Sequence, residues 1–163
     1  MGRAIAAVSD RPELAPLVAR WRVDAFFNSP GGWTVEEMTA AILAPPVGPK
    51  ETFVLFDNGQ PAGTAGLMRE DLETRPDLTP WLGGLFVRPE FRARGHATAL
   101  VRRVEAFALA AHVPALWLYT STAEPFYTRL GWERVATEQE NGHEVVLMRR
   151  LLFDEHRTAG AIN

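Results

Sequence analysis

The chain of 163 residues is long enough for one domain with a full hydrophobic core and short for two domains. Its 47% hydrophobic and 23% charged residues exclude a disordered or fibrous class, and the absence of cysteine excludes disulfides, thiolate metal ligands and a cysteine nucleophile. A net charge of -3 argues against a nucleic-acid binder that works by bulk electrostatics.

No apolar stretch of the sequence approaches the roughly 20 residues that are needed to cross a bilayer. The N-terminal segment Met1–Asp10 also lacks the long apolar core of a signal peptide. We therefore expect a cytoplasmic protein that binds neither a membrane nor nucleic acid.

The N-terminal segment predicts an edge strand and a helix. Ala4–Val8 is a short apolar run, and Asp10 is placed to cap a helix that covers Pro12–Ala25. Five apolar residues of this helix recur at helical spacing and are expected to face the core: Leu14, Leu17, Val18, Trp21 and Ala25.

A second helix and two hairpins are marked by local signals. Thr34 and Glu37 form a capping box in front of a helix over Val35–Leu43. Asn58-Gly59 and Asn141-Gly142 each favour a tight hairpin turn, because both turn residues tolerate a positive φ. The strands expected around these turns are Thr52–Phe56 with Ala62–Met68 and Trp132–Glu138 with His143–Met148.

The middle of the chain predicts a strand–helix–strand unit. Trp81–Val87 is expected to be a strand, Ala97–Ala111 a helix, and Ala115–Tyr119 a strand parallel to the first. The helix face is predicted from Leu100, Val104, Phe107 and Ala111, and Phe126–Leu130 is expected to form a short further helix. We predict one mixed α/β domain over residues 1–150 and a C-terminal tail over 151–163.

The loop between this strand and helix is a candidate anion site. Gly95 lets the backbone approach a ligand closely, Ala97 keeps the next position small, and Arg92 and Arg94 add cationic donors. The main-chain N–H groups at the start of a helix attract phosphate. Taken alone, the loop could equally be an ordinary strand-to-helix turn, and it is neither a dinucleotide fingerprint nor a P-loop.

Two motifs together indicate a family. They are Val87-x-Pro89-x-x-Arg92-x-x-Gly95-x-Ala97 and, after a helix and a strand, Phe126-Tyr127-x-x-x-Gly131-Trp132. In this order they closely resemble the GCN5-related N-acetyltransferases (GNAT), and among these the small, poorly characterised bacterial members. The resemblance implies an α/β acyl-CoA N-acyltransferase fold, in which helices flank a central mixed sheet, and acetyl-CoA as the cofactor.

The resemblance also implies roles for individual residues. The family binds the pyrophosphate of coenzyme A with the loop that corresponds here to Arg92, Ala93, Arg94, Gly95, His96, Ala97 and Thr98. The strand corresponding to Leu85, Phe86 and Val87 pairs with the pantetheine arm, and one of its N–H groups can stabilise an oxyanion, an effect worth about 10²-fold or more. Tyr127 matches the usual general acid, which suits a phenol with an ordinary pKa near 10.

Some positions depart from the family pattern. Many relatives have an asparagine in place of Thr120, which leaves the corresponding pantetheine contact without an assigned residue. His96 is expected to be a partly exposed side chain near the cofactor, where relatives often have an apolar residue. His112 is expected to lie at a helix C-terminus, where it favours the helix dipole.

Residues on the acceptor side are suggested by charge and position. The acidic loop before the cofactor strand could attract a cationic amine, and Glu73 is the first candidate and Asp71 the second. A solvated loop without a role is the alternative for each. Phe27 and Trp33 are candidates for a wall of the acceptor site, whereas Trp21 is expected in the core.

These features predict an acetyl-CoA-dependent N-acetyltransferase that acts by direct attack in a ternary complex. The acceptor would be a small-molecule or peptide amine, no metal is expected, and a homodimer is possible. A second interpretation keeps the fold but changes the acyl group or the accepting atom. A third is a non-catalytic acyl-CoA-binding module that senses cofactor or regulates a partner.

Overall fold

A computed structural model describes residues 2–152 of the chain. Its elements, in chain order, are β1 (Arg3–Ala7), a 3-10 turn (Pro12–Leu14), α1 (Ala15–Phe26), α2 (Val35–Leu43), β2 (Glu51–Asp57), β3 (Gln60–Met68), β4 (Trp81–Val87), a 3-10 turn (Pro89–Phe91), α3 (His96–Ala110), β5 (Ala115–Thr120), α4 (Glu124–Arg129), β6 (Glu133–Glu140) and β7 (His143–Leu151). Of the predicted tail, residues 153–163 lie outside the described residues.

The seven strands form one mixed sheet in the order β1-β2-β3-β4-β5-β7-β6. Neighbouring strands are antiparallel except β4 and β5, which are parallel and connected by α3, as the sequence predicts. The mixed α/β class is confirmed. The first strand lies at the edge of the sheet, also as predicted.

Two irregularities in β4 shape the centre of the sheet. Its register with β5 contains a single pair, Trp81 with Trp117, so that the two strands part beyond this point. Against β3 it pairs Gly66 with Gly83 but Thr64 with Phe86, which leaves one extra residue on β4. Gly84 in this bulge has a φ of 64°, a conformation that favours glycine.

The core is divided between the two faces of the sheet. One face packs against α3 and α4, and its cluster includes Leu82, Leu100, Val104 and Tyr127. The other face is covered by α1 and α2 over β1–β3, and by the β3–β4 loop over the remaining strands. The gap where β4 and β5 part, which we call the opening, therefore has one packed layer on each face of the sheet.

Most local predictions are confirmed. Both Asn-Gly turns have a positive φ at both residues, and the capping box of α2 forms in both directions between Thr34 and Glu37. Asp10 does not cap the first helical segment, which begins as a 3-10 turn after Arg11 without a side-chain cap. The capping prediction for Asp10 is therefore wrong.

The buried face of α1 differs from the predicted one. Its fully packed positions are Ala15, Val18, Ala19 and Arg22, with Leu14 buried in the turn before it. Trp21 is half-buried and packs against the core cluster on this face, so its assignment to the core is confirmed in part. Ala25 is exposed, and its assignment to the core is wrong. The small alanines let the helix approach the sheet closely, and a charged residue, Arg22, joins them on the buried face.

The buried face of α3 is partly as predicted. Leu100 and Val104 are fully buried, together with Val101 and Ala108. Phe107 is half-buried against the core, and Ala111 is exposed just beyond the end of the helix. The predicted Ala111 contact is wrong because the helix ends one residue earlier.

Candidate functional site

The opening between β4 and β5 is lined by the last three residues of β4. Leu85, Phe86 and Val87 are half-buried. Among residues 2–152, no strand pairs with the β5-facing edge of β4 beyond Trp81. Leu85 and Val87 pack against the α3 side of the core. This edge offers unpaired backbone groups to an extended ligand arm.

Phe86 lies on the opposite face, towards α1. Its ring centroid is 5.7 Å from that of Trp21. Phe27 and Trp33 are the predicted acceptor wall, and they lie in the α1–α2 connection with their ring centroids 6.4 Å apart. Of these three α1-side aromatics, Trp21 is the one that stacks on the strand lining the opening.

The loop from Arg92 to Thr98 presents free amides at the end of this edge. Ala93 and Gly95 have φ values of 63° and 79°, and Gly95 caps α3 without any side-chain hydrogen bond. Within residues 2–152, the N–H groups of residues 93–98 have no hydrogen-bond acceptor. A concave run of unpaired amides at a helix N-terminus fits a pyrophosphate.

The arginines of this loop are partly engaged in internal contacts. Arg92 Nε donates to the carbonyl oxygen of Val87 at 2.9 Å, which joins the loop to the end of β4. Arg94 Nη1 donates to Asp57 Oδ2 at 3.0 Å, and Arg3 Nη2 donates to the carbonyl oxygen of Arg94 at 2.9 Å. Both loop arginines remain exposed, so each retains donors that face solvent.

His96 differs from its expected exposure. Its side chain is only 5% exposed, and Nε2 lies 2.9 Å from Asp57 Oδ2. Hydrogen bonds from His96 and then Arg94 lower the pKa of Asp57 below its ordinary value. The imidazole thus anchors the loop to the end of β2 through Nε2, while Nδ1 is buried without a hydrogen-bond partner among the described residues. The main-chain N–H of His96 has no acceptor within residues 2–152.

Tyr127 lies on α4, on the α3 side of the opening. It is 7% exposed and packs between Phe126, at 5.0 Å, and Trp132, at 6.1 Å between ring centroids. Trp132 Nε1 donates to buried Glu105 at 3.0 Å, which fixes this wall. Burial raises the pKa of Tyr127 to about 12, so that the phenol keeps its proton at neutral pH.

Thr120 starts the turn into α4. Its hydroxyl oxygen accepts a hydrogen bond from the N–H of Ala123 at 3.0 Å. The residue that replaces the family's asparagine therefore shapes the turn before Tyr127, and the proton of its hydroxyl is still available to a ligand.

Asp71 and Glu73, the predicted acceptor-side residues, have different environments. Asp71 is half-buried, and its Oδ2 would be 2.8 Å from a Cβ atom added to Gly83, so the carboxylate lies directly over β4. Glu73 is exposed. Neither carboxylate forms a hydrogen bond or an ion pair within the described part of the chain.

The loop that carries Asp71 is fixed to the sheet. Leu72 is buried in a cluster with Trp81 and Leu147. Arg75 bridges Asp77 at 3.1 Å and Glu138 at 3.0 Å, which ties the loop to β6. The position of Asp71 is therefore set by packing and ion pairs on both sides.

Arg22 is a buried cation that the sequence analysis missed. The residue is 8% exposed, Nη2 lies 3.3 Å from the hydroxyl of Thr52, and Nε has no partner in the structure. Cβ atoms added to Gly66 and Gly84 would be 2.7 Å and 2.9 Å from its guanidinium. Burial lowers its pKa to about 10 in spite of the nearby Asp71.

Tyr119 and Glu140 complete the acceptor side and were also missed. The Tyr119 hydroxyl donates to Glu140 Oε1 at 2.8 Å. Burial, followed by the charges of Asp71 and Glu140, raises the pKa of this phenol far above its ordinary value. The sequence shows that both residues lie in strands with alternating exposure. The two side chains meet only because β5 and β6 both lie next to β7 in the sheet.

The described residues contain neither a membrane-spanning helix nor a metal-binding cluster. Residues 2–152 contain no helix that is both long and apolar enough for a membrane span, and no group of three or more potential metal-ligating side chains. A surface depression of about 390 Å³ near Pro49, Pro80 and Pro114 lies at the other end of β4 and β5. It is separate from the opening described above.

Comparisons with known proteins agree with this geometry. The model of the Acetyltransferase (GNAT) family matches residues 16–132. No curated protein matches the sequence. The fold is similar to that of a GNAT-family acetyltransferase from Streptococcus pneumoniae, with 20% identity, a TM-score of 0.67, and 91% of this chain and 98% of that chain covered.

Two similar structures contain a cofactor. The structure of yncA from Salmonella typhimurium, with acetyl-CoA, has 14% identity and a TM-score of 0.74, with 94% of this chain and 96% of that chain covered. An aminoglycoside 6'-N-acetyltransferase in complex with coenzyme A has 14% identity and a TM-score of 0.74, with 93% and 98% covered. These similarities concern the fold.

Proposed function

Because this chain belongs to the GNAT family of acetyltransferases, we propose that it transfers the acetyl group of acetyl-CoA to a primary amine by direct attack in a ternary complex. The observation that carries the proposal is the opening between β4 and β5, which has unpaired amides at its end and a buried, protonated tyrosine on its wall. We assign the activity to a single domain over residues 1–150. The acceptor is a small-molecule or peptide amine.

The free amides of residues 93–98 suit the pyrophosphate of acetyl-CoA, and the unpaired edge of Leu85–Val87 suits its pantetheine arm. Acetyl-CoA supplies a thioester whose acyl carbon is open to attack by an amine. Tyr127 protonates the departing thiolate, and an N–H of the β4 edge stabilises negative charge on the acyl oxygen. The unpaired amides and the raised pKa of Tyr127 support these roles.

Release of free thiol from acetyl-CoA with a panel of primary amines tests the proposal. We expect release with wild-type protein and a roughly 10²–10⁴-fold lower kcat for Tyr127→Phe, with unchanged coenzyme A affinity. Tight coenzyme A binding without thiol release for any amine would contradict catalysis and favour a non-catalytic acyl-CoA-binding module. Equal kcat values for wild type and Tyr127→Phe would remove the general-acid role.

Gly95→Leu tests the cofactor loop separately. A leucine at position 95 is strained at the positive φ of Gly95, and its branched side chain disturbs the run of free amides. We therefore expect loss of coenzyme A binding in a chain that still folds. Gly48→Leu is the matched control, because Gly48 has a φ of 77° and open space around its Cβ position. Unchanged coenzyme A affinity in Gly95→Leu would contradict the loop assignment.

A further inference from the structure

We propose that Asp71 is the general base of the transfer and takes a proton from a cationic primary amine bound beside its carboxylate, where β4 and β5 part. This inference rests on the proposed acetyltransferase function and identifies the acceptor as an ammonium that must be deprotonated inside the site. Three glycines, which we call the glycine floor (Gly66, Gly83 and Gly84), form the surface on which the argument depends.

The glycine floor creates space for charged groups above the sheet. Gly66 and Gly83 are a cross-strand pair and face the same side, and Gly84 is in the adjacent bulge. Cβ atoms at these positions would be within 2.9 Å of either Asp71 or Arg22. The two side chains therefore occupy volume that any other residue type would fill, at the point where β4 and β5 part.

The groups over the floor are not satisfied by one another. Arg22 is more than nine-tenths buried with an unpartnered Nε, and Asp71 forms no ion pair within 4.0 Å in the described part of the chain. A buried donor without a partner costs roughly 1–3 kcal/mol. Such a donor beside an unpaired carboxylate is typical of a site whose remaining partners arrive with a polar ligand.

The charges around Asp71 favour a cation. Glu140 on β6 and Asp71 contribute negative charge, and Tyr119 on β5 is neutral and donates to Glu140. Arg22 on α1 is the opposing cation. Glu73 is exposed on the β3–β4 loop that also carries Asp71. Burial and then Glu140 raise the pKa of Asp71 to about 7, against the opposing effect of Arg22. A base works best when its pKa is near the operating pH.

Acid and base lie on opposite sides of the sheet. Tyr127 belongs to the core cluster on the α3 side, and Asp71 lies over the α1 side of β4. In the proton transfer, an N–H bond of the ammonium breaks, its electron pair stays on nitrogen, and the proton moves to Asp71. The lone pair attacks the acyl carbon, and Asp71 later releases its proton to water. As the C–S bond of the thioester breaks, Tyr127 gives its proton to sulfur. The attacking nitrogen loses its second proton, which returns to the Tyr127 phenolate through solvent, so that a neutral amide, a free thiol and a protonated tyrosine remain.

Asp71→Asn tests the inference, with Asp24→Asn as a matched control on the exposed side of α1. Thiol release from acetyl-CoA with n-butylamine and benzylamine is followed from pH 5 to pH 9, and coenzyme A affinity is measured in parallel. Wild-type kcat/KM should rise with a midpoint near pH 7, where Asp71 loses its proton. We expect Asp71→Asn to lower kcat/KM about 10²–10⁴-fold and to remove this midpoint, with coenzyme A affinity unchanged.

Glu140→Gln provides a second test in which Asp71 is retained. Removal of the neighbouring negative charge lowers the pKa of Asp71, so the midpoint should move to lower pH. A wild-type midpoint in Asp71→Asn, or an unmoved midpoint in Glu140→Gln, would overturn the base assignment alone. Absence of thiol release with every amine for wild-type protein would overturn the acetyltransferase proposal, and the base assignment with it.

Discussion

Two aspartates, one next to the cofactor loop and one over β4, have opposite environments. Asp57, at the end of β2, accepts hydrogen bonds from His96 at 2.9 Å and Arg94 at 3.0 Å, and its pKa is lowered. Asp71, over the glycine floor, accepts none from the described residues, and its pKa is raised to about 7. One carboxylate holds the cofactor loop, whereas the other is left available for a proton. This difference separates a structural charge from a chemically reactive one.

The two carboxylates should therefore affect stability in opposite ways. Asp57 has a lowered folded-state pKa, so its contribution is present above the unfolded-state pKa and is lost as pH falls. Asp71 has a raised folded-state pKa, so the folded state prefers the protonated form, and stability falls as pH rises from about 4 through about 7. The reactive group is retained at a cost in stability.

The largest expected effect comes from filling the space over the glycine floor. Gly84→Ala places a methyl group 2.9 Å from Arg22 Nε in a buried region and strains a φ of 64°. We expect unfolding free energy to fall by about 2–4 kcal/mol, since overpacking adds to the cost of the left-handed conformation. Chemical denaturation at pH 7 measures the change.

Gly59→Ala is the control for this prediction. Gly59 has a φ of 80° and open space around its Cβ position, so only the backbone strain remains, about 1 kcal/mol. Equal losses for Gly84→Ala and Gly59→Ala would show that the floor has room for side chains, and would remove the steric basis for the position of Asp71.

The next largest effect is an increase, rather than a decrease, in the free energy of unfolding. Asp71→Asn should stabilise the protein at pH 8 by roughly 1–3 kcal/mol, because a half-buried charge is removed, and should have little effect at pH 4, where Asp71 is protonated. Thermal unfolding of the protein without substrates, across this pH range, measures the difference. A stability loss at pH 8 would indicate that Asp71 has a stabilising partner, and the contrast with Asp57 would disappear.

Asp57→Asn should destabilise the protein, by less than Gly84→Ala. Both hydrogen bonds end on Oδ2 of Asp57, and an amide oxygen in its place lacks the negative charge that strengthens them, so the anchor of the loop is weakened. The loss should be seen at pH 7 and should shrink as pH falls through the lowered pKa of Asp57. Coenzyme A affinity should also fall, measured by isothermal titration calorimetry, with Asp24→Asn as the control. Unchanged affinity would limit Asp57 to a role in folding.

The comparison also explains how far sequence reasoning reaches. Turns, the capping box and the strand–helix–strand unit depend on residues that are close in sequence, so their signals are local. The sequence analysis missed the buried Arg22 because a hydrophobicity pattern selects its apolar neighbour Trp21. Burial of Arg22 depends instead on the space left by glycines in β3 and β4. The bulge at Gly84 depends on the register with β3, which periodicity does not determine.

The acceptor side was harder to predict than the cofactor loop for the same reason. The loop at Arg92–Thr98 is continuous, and its free amides follow from a glycine before a helix. Asp71, Tyr119 and Glu140 come from three separate segments and meet only through the strand order β4-β5-β7-β6. The sequence analysis ranks Glu73 before Asp71, and it cannot tell the half-buried carboxylate from the exposed one because burial cannot be judged from the loop alone.

Glu73 therefore offers the smallest expected effect and sharpens the contrast with Asp71. Its carboxylate is exposed, so its attraction for a cationic acceptor is weakened by water and salt. Glu73→Gln should raise the KM of n-butylamine by less than about threefold at low salt, since a single screened charge contributes roughly 0–1 kcal/mol. The effect should vanish at high salt, while kcat and the pH midpoint of kcat/KM stay unchanged. A loss of the midpoint near pH 7 in Glu73→Gln would transfer the base role from the buried carboxylate to the exposed one.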